Sequence, residues 1–358
     1  MGRLMNNYFY GKAGKPDFQK NNLPHNRKQL FWEMLRIRFA ALIRMNLMTL
    51  IAFLPIIVVI FIQAGNFLTE LGTLANYDEN GRLSAAYVEQ MELSPEDTAA
   101  MEASYAKLVS EAQANGINYL SERFYYYLFY TTLYLIPCIF ITGPIQAGMA
   151  YVNRNWARDE HAFIWSDFKD AVKDNWKQGL LISGITAVVP FIVAVCWHFY
   201  NGMYTSTQNL LYMALESICI VLGVMWFLAL VFAYPMMVGY QVTNRQLIKN
   251  SITLAIARLP HTVAVRLATL LPAILAFVVY YFFAVPWVYI GLFVALYYAI
   301  LGNAFARFVF ASFTNGLFEK YMNPHIEGAR TNIGLHNEDD EDPDDDEEEE
   351  ETPAAPEQ

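Results

Sequence analysis

Formal charge is scarce in this chain: Asp, Glu, Lys and Arg make up only 16% of its 358 residues, and the forty residues between Arg266 and Arg307 contain none of them. So long an uncharged run is not the surface of a water-soluble domain. About 20 apolar residues are needed to cross the roughly 30 Å of membrane hydrocarbon. Pro286 lies near the middle of the run, where a proline ends a helix, so the stretch reads as two crossings joined by a tight turn. Cysteine is scarce as well. Cys138, Cys196 and Cys219 all fall in apolar segments without metal-ligand spacing and read as small core residues.

The motifs of common chemistries are also missing. There is no His-Glu-x-x-His, no Gly-x-Ser-x-Gly, no phosphate loop and no pair of intramembrane aspartates, so hydrolase and ATPase readings lack support. The expectation is a protein that is not an enzyme, with no catalytic residues, no metal and no cofactor. Asp159-Glu160-His161 is the one tight cluster of acid and imidazole, but its spacing fits no zinc motif and adjacent helical residues point apart. The basic loops carry ordinary orientation-setting charge and make no case for nucleic acid.

What is abundant is apolar and aromatic, at 55% and 15% of the chain, as in a polytopic membrane protein. Six apolar runs are bounded by charge: Ile43 to Ile62, Tyr125 to Tyr151, Gly179 to Tyr200, Leu210 to Tyr240, Val265 to Ala284 and Trp287 to Phe310. The fold class is therefore an all-α, six-helix membrane bundle with amphipathic cytoplasmic helices. Basic residues cluster before the first span (Arg27, Lys28, Arg36, Arg38, Arg44), between the second and third (Arg154, Arg158, Lys169, Lys173, Lys177) and between the fourth and fifth (Arg245, Lys249, Arg258, Arg266). By the positive-inside rule these ends face the cytoplasm, which puts both termini inside a cell membrane crossed several times. Met1 to Arg27 is polar and lacks an apolar core, so the first span is expected to direct insertion. The chain divides into a cytoplasmic segment 1–42, a membrane domain 43–320 and a tail 321–358. The membrane domain includes an outer insertion 64–123 and a cytoplasmic helix 159–178.

The net charge of −10 conceals an asymmetry, because Glu338 to Gln358 holds 14 of the 34 acids and no base. That tail is expected to be disordered, since like charges at such density cannot collapse in water. In the outer insertion, Ser94-Pro95-Glu96-Asp97 marks a helix start. Met101, Tyr105, Leu108 and Ala112 then repeat at helical spacing up to a stop at Asn115-Gly116. This stripe would seal the outer end of the bundle or meet an external partner.

Each basic segment also has the pattern of a helix lying on the membrane: Leu30, Met34, Ile37 and Ala41; Phe168, Val172 and Trp176, with Ser166 as N-cap; and Ile248, Ile252, Ala255 and Leu259. Three copies of an amphipathic helix followed by a hairpin would account for the pattern. Trp165, Phe168 and Trp176 are the candidate partner-facing residues. Within the spans, Gln146, Glu216, Asn303 and Arg307 are the candidate polar site, because an ionised group at the bilayer centre costs at least about 2.5 kcal/mol and needs a partner, water or an interface. Glu216 is the deepest acid, while His198 sits near the outer boundary. Gly143-Pro144 would break the second span, either as a kink or as a site of freed carbonyls.

Gly143-Pro144-Ile145-Gln146-Ala147-Gly148, running through Tyr151-Val152-Asn153-Arg154 and Asp167-Phe168-Lys169-Asp170 to Asn175-Trp176-Lys177-Gln178, resembles the YesL-like family of bacterial membrane proteins. So do Asn46 through Leu54-Pro55-Ile56, and Asn250-Ser251 through Leu259-Pro260. The chain departs from the family pattern where Ile57 to Thr142 intervene between Leu-Pro-Ile and Gly-Pro, and in its acidic tail. The resemblance implies an integral membrane protein of unassigned biochemical role, often encoded beside carbohydrate-uptake genes, and supplies no catalytic residues. The expected function is accessory or regulatory to a carbohydrate uptake system, with the lipid bilayer and a membrane transporter complex as partners. The alternative is a small-solute transporter or channel with a polar pathway between helices.

Overall fold

A computed structural model describes residues 24–78, 80–114, 118–283, 285–329 and 331–335. Residues 336–358 of the tail, with its acidic run, and the Asn115-Gly116 stop lie outside them. The described residues form an all-α bundle: α1 (Arg27–Leu74), α2 (Ala85–Gln90), α3 (Pro95–Ala114), α4 (Tyr119–Phe140), α5 (Gly143–Trp156), α6 (Ser166–Thr207), α7 (Leu210–Gly239), α8 (Asn244–Ala257), α9 (Leu259–Phe283), α10 (Trp287–Tyr297) and α11 (Asn303–Tyr321). Among the described residues, five continuous helical stretches are long and apolar enough to cross a membrane, and α4 with α5, bent by 62°, makes a sixth where the pair is counted as one broken span. With the bent pair counted as one span the number is even, which would return the chain to its starting side. Accordingly Arg27, at the start of α1, pairs with Glu319 near the end of α11.

The basic segments differ from the surface helices that their periodicity suggests. α1 runs 48 residues and α6 runs 42 without interruption, about 72 and 63 Å at 1.5 Å per residue. Both are at least twice the hydrocarbon thickness, so the basic segment and the span behind it are one rod. Only the third basic segment is separate, with α8 ending at Ala257 and capped by Arg258 before α9 begins. Ser166 is the first helical residue of α6 and not its cap: Trp165 holds the cap position without a side-chain bond, while Asp167 Oδ2 accepts the Phe163 N–H at 2.9 Å.

Burial is concentrated at the basic end. α5 is buried along most of its length, α7 only from Leu228 to Met237, and α11 mainly from Ala304 to Phe318. These residues form two apolar clusters, one around Phe232, Tyr234, Leu247 and Phe318, the other around Leu30, Met45, Trp156 and Phe308. The outward halves of the spans expose Ile218, Leu222, Phe282 and Tyr289, as helices surrounded by lipid do. Polar bonds stitch the basic end across the chain: Gln178 Nε2 donates to the Val242 carbonyl at 2.8 Å, and Asn315 Nδ2 to the Arg154 carbonyl at 3.3 Å.

At the opposite end the insertion folds onto the tips of α1 and α4. Ser94 Oγ accepts the Asp97 N–H at 3.1 Å to start α3, with Pro95 as its first residue. Tyr105 of its apolar stripe stacks on Tyr77 with ring centroids 4.1 Å apart. Glu70, beyond the first span on α1, accepts from Arg123, Tyr127 and Tyr119. Burial on its own would raise this carboxyl, but those bonds outweigh it and hold the group below the ordinary carboxylate range. Burial and the same carboxylate push the Tyr119 phenol up to about 12.

Candidate polar site at the basic end of the spans

Pro144 has no N–H for the carbonyl of Phe140, four residues earlier, so the second span must either leave that oxygen bare in an apolar setting or find another donor. Ser183 Oγ of α6 donates to it at 2.6 Å, and Thr142 Oγ1 donates to the Ile139 carbonyl at 2.7 Å. The donors reach because the helices nearly touch: a Cβ on Gly143 would overlap the Gly179 carbonyl oxygen. The Gly143-Pro144 break is thus a kink whose freed carbonyls are bonded within the protein.

The kink brings Gln146 to Arg307. Gln146 Oε1 accepts from Arg307 Nη2 while its own Nε2 donates to Thr142 Oγ1 at 2.6 Å. The Arg307 guanidinium lies over the Tyr234 ring at 4.8 Å and near the Phe310 ring at 5.8 Å. The Arg266 guanidinium is also near Phe310, 4.7 Å from the ring centroid, and donates through Nε and Nη2 to the Phe227 carbonyl at 3.1 and 2.6 Å. Four helices, α5, α7, α9 and α11, therefore meet around two arginines. Among the described residues no carboxylate forms an ion pair with either. Arg307 Nη1 and Tyr234 Oη are buried without a hydrogen-bond partner.

One turn before Arg307 the sixth span passes through a π-helical turn, Tyr298–Gly302. Such a turn opens the helical hydrogen-bond ladder. Asn46 of α1, 1% exposed, fills the opening. Its Nδ2 donates to the Tyr298 and Ala299 carbonyls at 3.0 and 2.7 Å, and its Oδ1 accepts the Ala304 N–H at 2.9 Å. Asn303 turns back to the Tyr298 carbonyl at 3.5 Å.

Of the four sequence candidates, then, Gln146 and Arg307 are joined and Asn303 stands one turn away. Glu216 is separate: it lies 11 residues before Phe227 on α7, about 16 Å along the axis, and its side chain makes no hydrogen bond or ion pair among the described residues. His198 stacks on Tyr125, with centroids 3.5 Å apart. In the Asp159-Glu160-His161 cluster, Glu160 pairs with Arg158 at 3.5 Å and His161 meets the edge of Phe163. Trp165 and Trp176 are 64% and 48% exposed, but Phe168 is not partner-facing. It is buried against Gly148 on α5, a position that only a glycine leaves open.

Sequence reasoning missed two residues of the site. Asn46 entered only through the family resemblance and drew no notice as a polar group, since a polar residue near a span boundary is ordinary. Arg266 reads as a boundary charge, yet the clue was present: the two ends of the uncharged run are the two arginines that meet, because a hairpin returns its ends to one level.

A family model described as protein of unknown function, DUF624, matches residues 125–197, which cover the kinked second span and most of α6. Comparisons with curated proteins and with solved structures gave no match.

Proposed function

We propose that this is a non-enzymatic, multi-pass protein of the cell membrane, with both termini in the cytoplasm, that serves as an accessory or regulatory component of a carbohydrate uptake system. The observation that carries the reading is where the packed core lies. It sits at the basic end, and the unbroken α1 and α6 connect it to the spans, so a load applied there reaches the membrane without a hinge. Exposed Phe163, Trp165 and Trp176 at that end offer a partner aromatic anchors. The carbohydrate element comes from the YesL-like resemblance of the sequence. Photo-crosslinkers at Trp165 and Trp176 in native membranes should capture one defined membrane-transporter subunit, and recovery of lipid alone overturns the reading.

The alternative, a small-solute transporter, is favoured by the meeting of Gln146 with Arg307 between helices. The separation of Glu216 from that pair counts against a pathway through all four candidates. In proteoliposomes a transporter using that pair would lose flux on Gln146→Leu while remaining folded; an accessory protein would show no flux with either residue.

A further inference from the structure

The geometry points to a binding site for an anionic membrane lipid, its phosphate held by Arg266 and Arg307 and its acyl chain lying in an apolar groove between α1, α9 and α10. This stands apart from the partner-docking reading and uses none of its residues.

The first support is uncompensated charge. Two guanidiniums share the Phe310 ring, and among the described residues no acid pairs with either. Each is partly satisfied, by Gln146 and by the Phe227 carbonyl, but neither partner carries charge. Arg307 Nη1 and Tyr234 Oη remain as donors without acceptors, and Tyr234 is only 1% exposed. Two like charges in a poorly hydrated setting call for an anion. Guanidinium forks match the geometry of a phosphate.

The second support is the groove, about 520 Å³ in volume, walled by Phe53, Ile57, Ala273, Phe277 and Val294 and reaching Asn303 at one end. Its size falls within the usual range of ligand sites. Neither arginine lines it, but two helices that wall it continue to them. On α11, Asn303 and Arg307 are four residues apart on one face. On α9, Ala273 and Phe277 follow Arg266 by seven and eleven residues, again on one face.

Position chooses between a lipid phosphate and a free one. Both arginines lie where the fifth and sixth apolar runs end, the level of lipid headgroups, and a free anion gains nothing from an apolar groove beside it. Headgroup phosphate and chain are supplied together by one molecule.

The test is native mass spectrometry of the full-length protein in detergent, offered phosphatidylglycerol or phosphatidylcholine with identical chains. The wild type should retain phosphatidylglycerol about tenfold more strongly. Arg266→Gln and Arg307→Gln should each reduce that retention about tenfold, the scale of one lost charge-assisted bond, and Ala273→Phe should reduce it by filling the groove with the arginines intact. Two measurements need only the wild type: hydrogen exchange over 266–280 should slow on adding phosphatidylglycerol, and millimolar inorganic phosphate should not displace the lipid. Equal retention of the two lipids, undiminished retention by folded arginine variants, or displacement by inorganic phosphate would overturn the proposal.

Discussion

Single side chains hold this bundle together by completing what backbone geometry leaves open. Ser183 is the clearest case, because the donor that Pro144 cannot supply to Phe140 comes from a different helix. Ser183→Ala should therefore destabilise the protein by about 2 kcal/mol, the cost of a buried acceptor left bare. The double change with Pro144→Ala should recover part of the loss by restoring an N–H, as thermal melts of the four species in detergent would reveal. Glu70 makes a pH prediction. Its folded-state titration lies below that of the unfolded chain, so its contribution is complete above the ordinary carboxylate value and disappears as pH falls through the lowered one. Arg123→Gln should lower stability at neutral pH and flatten the acid limb of the profile below about pH 4.5, readable from chemical denaturation at a series of pH values.

Among the elements, the sixth span shows how a local irregularity is maintained by a neighbour. The π-helical turn exists beside Asn46, whose amide both donates to its open carbonyls and accepts its free N–H. Asn46→Leu should cost about 3 kcal/mol, since three backbone groups lose their partner at once. Asn46→Asp should be little better, because a carboxylate still accepts from Ala304 but turns oxygen toward two carbonyls; melting temperature distinguishes these from an exposed control such as Leu47→Ala. The helices themselves were legible from the sequence because apolar runs, Pro286 and the Ser94-Pro95 start are local signals. Continuity was not. Of the stripe Leu30, Met34, Ile37 and Ala41, the first two are buried and Ala41 is half-buried while Ile37 is exposed, and a face packed in protein has the same repeat as one laid on lipid. Phe168 misled in the same way, its contact with Gly148 depending on a close approach of α5 and α6 that no single segment encodes.

For the whole molecule, hydropathy located the candidate crossings but not their lateral arrangement, since lipid-facing and protein-facing apolar residues look alike. That is why the site was half visible: Gln146 and Arg307 stood out by cost, whereas the exclusion of Glu216 and the inclusion of Arg266 follow from which helices are neighbours. The orientation can be tested directly. Arg27 and Glu319 meet at one end, while the insertion around α3 caps the other, so engineered cysteines at Ala103 and Thr331, both exposed, must lie on opposite sides. The positive-inside rule predicts which side is which: the basic segments cluster at the Arg27 end, so that end is the expected cytoplasmic one. In a background with the native cysteines replaced, a membrane-impermeant maleimide should label Ala103→Cys in intact cells and Thr331→Cys only after permeabilisation. Labelling of both from outside would contradict an even number of crossings, and the reverse pattern would place the arginine site at the outer leaflet, where a different set of lipid headgroups would compete for it.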